Sequence, residues 1–218
     1  MNVELIDKMG TDLSVVNAAR VSFAKKSQWA RHVPSAGKEG YDLSEKDDKL
    51  IKYLAKHGHW SPFAHAFLSF RIKAPIFVAR QLVKHQVGLA WNEVSRRYVD
   101  DKPEFYIPFM WRKRPEESIK QGSSDEEVPY DITKIINDAE EIYNDMLAND
   151  IAPEMARLIV PQCMMTEWIW SGSVFAFSRV CNLRNKENAQ SETRMVTLEL
   201  SKHMKDHFPI CSKYLNDI

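Results

Sequence analysis

The seven glycines of this 218-residue chain, Gly10, Gly37, Gly40, Gly58, Gly88, Gly122 and Gly172, nowhere form Gly-x-Gly or Gly-x-x-x-x-Gly-Lys-Ser/Thr. Closely spaced glycines are what let backbone N–H groups approach a phosphate. Their scarcity excludes the usual Rossmann and P-loop cradles, so a nucleotide bound here would have to be held by side chains. Hydrophobic residues make up 44% of the sequence, enough for a sizeable core and against intrinsic disorder.

Residues 2–7 (NVELID) alternate apolar and polar like a short strand, and a helix then suits Ser14 to Arg20 with Ser14 or Asp12 as cap. Residues 44–57 read as an amphipathic helix capped by Ser44, with Leu50, Ile51 and Leu54 at helical spacing. Ser61-Pro62 suits a short helix, AFLSFRIKA (66–74) alternates as a strand, and Pro75 opens a helix striped by Ile76, Ala79, Leu82 and Val83 that Gly88 breaks. Helices also suit 131–149, 153–170 and 188–205. The fold class is therefore α+β: a single domain with helices packed around a modest, mostly antiparallel sheet.

Lys plus Arg and Asp plus Glu both number 30, so the chain lacks the overall basicity of a protein that lives on nucleic acid. The balance is not local. Residues 71–114 carry ten basic and four acidic side chains, and 115–154 carry two and twelve. Between these blocks, 114–131 is polar, bracketed by Pro115 and Pro129, and reads as an exposed loop or insertion. Cys163, Cys181 and Cys211 are odd in number and in no metal or Cys-x-x-Cys spacing, which fits a reducing cytoplasm. The N-terminus lacks the apolar core of a signal peptide, and no stretch approaches the length of a membrane span.

The stretch most suggestive of chemistry is RQLVKHQVGLAWNEVSRRY (80–98). Gln81, Lys84 and His85 are three or four apart and share a helix face, as residues of a solvated face also do. Glu93, Ser95 and Arg97 alternate, so an extended chain turns a carboxylate, a hydroxyl and a guanidinium to one side. Such a trio suits a phosphorylated nucleoside, although an edge strand with a Glu93–Arg97 surface pair has the same pattern. Arg157 and Arg184 adjoin apolar sequence, where a guanidinium needs an anion: a ligand, or a carboxylate of the acidic block. His57, His59 and His65 lack partners for a metal shell, and neither Cys163 nor Cys181 has a neighbouring base to make it a nucleophile.

Five blocks in order carry a resemblance: VELIDKMGTDLSVVNAARVSF (3–23), HGHWSPFAH (57–65), QLVKHQ with NEVSRRY (81–98) and PEFYIP (103–108), ARLIVP (156–161), and NLRNKENAQSE (182–192). Together they resemble the flavin-dependent thymidylate synthases, the ThyX family. That resemblance implies an FAD enzyme converting dUMP to dTMP, with methylenetetrahydrofolate as carbon donor and NADPH as reductant. It further implies a homotetramer with shared active sites; the balanced charge and the lack of a long apolar stretch argue against a nucleic-acid or membrane partner. By the same resemblance, dUMP would be held by Gln81, Lys84, Glu93, Ser95, Arg97, Arg157 and Arg184. FAD would be held by His59, Ser61, Lys84, His85, Gln86, Glu93, Ser173, Arg179 and Asn188.

The family motif Arg-His-Arg, seven residues, Ser stands here as Lys84-His85-Gln86, eight residues, Ser95. Lys84 keeps a cation without the planar fork, Gln86 loses charge, and a bulged turn at Gly88 would absorb the insertion. In the implied chemistry Arg184 is the catalytic residue, accommodating negative charge on the uracil ring, while Arg97, Ser95 and Arg157 hold the phosphate. Two other readings fit the same residues. One is a relative that binds nucleotide with lost or altered catalysis. The other is an oligomeric single-strand binder using the basic block with Trp91, Tyr98 and Trp111.

Overall fold

The computed structural model describes residues 1–32, 40–116 and 122–216. The chain opens with β1 (Asn2–Met9) and α1 (Asp12–Arg20), followed by a 3-10 turn at Val21–Phe23. The cap of α1 is Thr11 rather than Ser14 or Asp12; Ser14 Oγ accepts from the Thr11 N–H at 3.0 Å. The Asp12 carboxylate instead accepts from the N–H groups of Ile210 and Cys211 at 3.0 and 2.9 Å, so it caps a helix at the far end of the chain. A cap is defined by which free N–H groups it faces, and here tertiary proximity outranks sequence proximity.

Next come the two-stranded pair β2 (Ala30–His32) and β3 (Gly40–Asp42), then α2 (Glu45–Lys56), capped by Ser44 as expected, with Asp47 N–H donating to its Oγ at 3.2 Å. A 3-10 turn at Ser61–His65 leads into β4 (Phe67–Pro75), and Pro75 caps α3 (Ile76–Leu82). This helix is shorter than expected. It stops at Leu82, well before Gly88, and Lys84 and His85 lie in the following turn, where His85 N–H still reaches Leu82 O at 3.0 Å.

β5 (Leu89–Glu93) also ends early. Tyr98 N–H donates to Ser95 O at 3.0 Å, so Ser95 and Arg97 sit in a turn and do not extend the alternation begun at Glu93. The expected loop at 114–131 is bounded by a small ladder, β6 (Trp111–Arg112) on β7 (Glu127–Val128), and its residues 117–121 lie outside the described residues.

α4 (Thr133–Ala148) agrees with expectation, whereas the helix expected over 153–170 does not form. Only α5 (Pro153–Ala156) and a 3-10 turn at Arg157–Ile159 appear there, and Met165–Ser173 is strand β8. Pro161 lacks the N–H a helix needs, and MTEWIWSGS alternates buried and half-buried residues with the period of a strand. Three helices finish the chain: α6 (Val174–Arg184), α7 (Ser191–His207) and α8 (Pro209–Leu215).

The main sheet is antiparallel in the order β1-β4-β8-β5. One face carries Leu68, Phe70, Ile72, Trp168 and Trp170, all buried, against Phe177 of α6, whose ring meets those of Phe70 and Trp170 edge-on at 5.1 and 5.2 Å. The opposite face is polar, with Ser69 bonded to Ser171 at 2.7 Å and Arg71 to Glu167 at 2.8 Å. Burying each large apolar side chain contributes roughly 1.5–3 kcal/mol, whereas an exposed ion pair contributes about 0–1. The sheet is therefore held from its helical side, and β5 lies at its edge as the strand leading out of the His85 turn.

Candidate functional site

Ser173 ends β8 and caps α6, its Oγ accepting from Ala176 N–H at 3.2 Å. α6 then runs to Arg184 in its last turn, and the segment from Asn185 to Gln190 turns the chain into α7. Around that turn lies a cavity of about 540 Å³ whose polar walls are Gln81, Arg112, Arg184, Lys186, Asn188 and Gln190. Arg184 Nε donates to His85 Nε2 at 3.0 Å, and burial, then Arg184, then Arg179 push His85 below its ordinary value.

Two further arrangements shape the walls. Gln81 is bonded to Gln190 and accepts from the buried Thr193 hydroxyl at 3.1 Å, so α3 and α7 are joined through amides. Arg112 Nη2 donates to both oxygens of the buried Glu192 at 2.7 and 2.8 Å, and its Nε donates to Ser123 Oγ at 2.7 Å. Arg112, Gln190, Glu192 and Thr193 were not legible as site residues. Gln190 and Glu192 stand inside the last resemblance block, but nothing in local spacing points to Arg112, which meets its partner 80 residues on.

The other expected residues are distributed elsewhere. Glu93 accepts from Trp91 Nε1 at 3.1 Å and from the Thr166 hydroxyl at 2.8 Å. In the turn beyond, Arg97 donates to Ser95 Oγ from its backbone N–H at 3.3 Å and from Nε at 3.4 Å, and its guanidinium lies 5.0 Å from the Tyr98 ring centre. Arg157 is exposed and donates to Glu154 O at 3.3 Å. His59 and Ser61 are exposed beyond α2, where the Tyr53 and His59 rings meet edge-on at 5.7 Å. Lys84, Gln86 and Arg179 are exposed as well.

The chain thus brings together Gln81, His85, Arg184 and Asn188, with Arg179 near enough to act on His85. It does not bring Glu93, Ser95, Arg97, Arg157, His59 or Ser61 to the walls of that cavity. Arg97, Arg157 and Arg184 share one property: among the described residues none is paired with a carboxylate. Other arginines are so paired, Arg20 with Asp47, Arg71 with Glu167 and Arg112 with Glu192, so the acidic block does not simply neutralise whatever is basic.

None of the thiols is activated. Burial pushes Cys181 up to about 11, burial and the Asp12 carboxylate push Cys211 well above the usual range, and burial raises the half-buried Cys163. Iodoacetamide at about pH 7.5 is expected to spare Cys181 and Cys211 in the folded protein and to label both in denaturant, because the thiolate is the reactive form. Mass spectrometry of the alkylated chain measures this; rapid native labelling of Cys181 would show an opening of the core.

Fold and site together define a class: an α+β protein whose cavity is walled by side-chain cations and amides, in a sequence without a glycine-rich phosphate cradle. The particular family follows from likeness to known proteins. The sequence model of the family described as thymidylate synthase complementing protein matches residues 4–210. The flavin-dependent thymidylate synthase of Thermosipho africanus is 35% identical, over 95% of this chain and 87% of that protein. That of Thermus thermophilus is also 35% identical, over 95% and 73%. Among solved structures, the UMP/dUMP methylase PolB from Streptomyces cacaoi bound with 5-Br dUMP aligns with a TM-score of 0.82 at 28% identity, covering 100% of this chain and 95% of that one. The chain belongs to the flavin-dependent thymidylate synthase family.

Proposed function

We propose that this protein converts dUMP to dTMP by reductive methylation at C5, taking the carbon from methylenetetrahydrofolate and the electrons from NADPH through FAD. The observation that carries the reading is the set of guanidinium groups, Arg97, Arg157 and Arg184, which have no carboxylate partner among the described residues of a chain of zero net charge. The two flavin-dependent relatives and the nucleotide-bound PolB structure support it.

The residues fit a flavin dinucleotide. Lys84 and Arg179 are exposed cations with no carboxylate partner among the described residues, suited to a diphosphate; His85, on which Arg179 acts, and Asn188 at the cavity wall add neutral hydrogen-bonding groups. When bound, FAD supplies the electron transfer. Arg184, always protonated, stabilises negative charge on the pyrimidine carbonyl oxygens as electron density builds at C5. Arg97, Ser95 and Arg157 hold the phosphate and so place the ring. Glu93, already anchored by Trp91 and Thr166, accepts from the ribose or a ring N–H. Gln81, its amide engaged by Gln190 and Thr193, acts through Gln190 at the cavity wall.

No protein nucleophile is required, in keeping with the raised thiols. Because the assigned residues fall in separate patches, the complete site is assembled between chains of a homotetramer. Exposed apolar side chains such as Ile135, Ile142, Leu158, Met195 and Leu198 support such an assembly. Three free cysteines agree with a cytoplasmic setting, and no described helix is long and apolar enough to cross a membrane.

The single-strand-binding reading fares worse. Arg71, Lys73, Lys102, Arg112 and Lys113, half of the basic block, are paired with acidic side chains. The test is direct: the purified protein should be yellow and should turn over dUMP only with reductant and methylenetetrahydrofolate. Colourless protein that stays inactive with excess FAD yet binds dUMP tightly would establish a relative with lost catalysis. In the active enzyme, Arg97→Ala should weaken dUMP binding about tenfold to a hundredfold, the worth of a charge-assisted hydrogen bond, with little change in melting temperature. Calorimetric titration measures it; unchanged affinity would remove Arg97 from the phosphate site.

A further inference from the structure

A guanidinium carries only donors, so the imidazole Nε2 that meets Arg184 Nε at 3.0 Å is an acceptor. His85 is therefore neutral in this contact, with its proton on the other nitrogen. We propose that His85 is the positioning residue for Arg184: its unprotonated nitrogen fixes the plane of the guanidinium and leaves both terminal nitrogens free at the cavity wall. The inference rests on the reading that Arg184 stabilises charge on the pyrimidine.

Several features of the fold build this contact. Arg184 sits in the last turn of α6, where its backbone is fixed but a long side chain has many rotamers. His85 sits just past α3, tied back by its own N–H to Leu82 O at 3.0 Å, and is half-buried. The two positions are 99 residues apart, and each is rigid for a separate reason: Ser173 caps α6, and Leu82 anchors α3 in the core. One bond to Nε removes rotation about the end of the Arg184 side chain without consuming either Nη, which is the geometry a preorganised donor pair needs.

The charges acting on the ring are the guanidinium groups of Arg184 and Arg179, both from α6. Among the described residues no carboxylate contributes to the shift. Lys84, its neighbour at the end of α3, is exposed, and Glu192 of α7 is engaged by Arg112. The two guanidinium groups favour the neutral ring, and burial favours it most, so the acceptor persists below His85's ordinary value before protonation sets two donors against each other and releases Arg184.

The experiment has two arms on the FAD-loaded enzyme. Histidine NMR titration should place the His85 transition below 6.5 in the wild type and move it upward in Arg184→Ala. An unchanged value would overturn the contact without any reference to turnover. In the second arm, kcat is followed against pH for the wild type, His85→Gln and His85→Ala, with bound FAD measured in each. The wild type should lose kcat about tenfold per pH unit on the acid side. His85→Gln, whose carbonyl accepts at any pH, should lose that limb and keep kcat within about tenfold, while His85→Ala falls further with FAD retained. An acid limb unchanged in His85→Gln, or losses in both variants that simply track lost FAD, would make His85 a flavin ligand only. If Arg184→Ala keeps full turnover, the reading of Arg184 itself is what fails.

Discussion

Arg184→Ala is expected to lower kcat/KM for dUMP by about 10²–10³-fold, the cost of removing one preorganised donor from a developing oxyanion. Its cost to the fold should be far smaller. Among the described residues the side chain makes one hydrogen bond, to His85, and leaving that half-buried acceptor unpaired costs about 1 kcal/mol, or roughly 2–4 °C in a chain of this size. Arg184→Lys keeps the charge but loses both Nε and the planar fork, so it should recover only part of the rate. Steady-state kinetics beside a thermal melt measure the two effects together. If turnover and melting temperature fall in step, Arg184 is a structural residue and the mechanism must find its cation elsewhere.

Gly172→Ala is expected to damage both fold and site. A Cβ at Gly172 would lie 2.4 Å from Leu89 Cδ2 and 2.6 Å from the carbonyl oxygen of Gly88. The leucine end can turn away, but the carbonyl belongs to the turn that feeds β5, and Gly88 itself adopts φ +77° with Ala176 close by. The edge strand must therefore separate from β8. Overpacking of this kind costs about 3 kcal/mol, which lowers the melting temperature by roughly 6–12 °C. Because the displaced segment joins His85 to Glu93, dUMP and FAD affinity should drop along with stability. A melt shift below about 2 °C with ligand affinity intact would show that the sheet absorbs the methyl group.

Legibility followed how local each determinant is. The strand at Phe67–Pro75 and the helices at Glu45–Lys56 and Thr133–Ala148 are readable because their own residues set the period, the cap or the break. Residues 165–170 read as helix in the sequence because their apolar content suits either period, and the buried alternation of Met165–Ser173 shows only when it lies between β4 and β5. The trio Glu93, Ser95 and Arg97 stands out for its alternation, yet its last two members sit in a turn. The residue types proved suggestive where the conformation did not, because a serine and an arginine can face the same ligand from a turn.

By itself the sequence determined that no glycine cradle exists, that charge is balanced overall but not locally, and that five ordered blocks mark one family. These are properties of composition and order, which folding cannot alter. Only the tertiary structure decided that Asp12 caps a helix 198 residues away, that Glu192 holds Arg112, and that His85 holds Arg184. Each of these bonds joins groups remote in the chain. What brings them together is the burial of the sheet's apolar face under the helices, and that packing leaves no trace in local spacing.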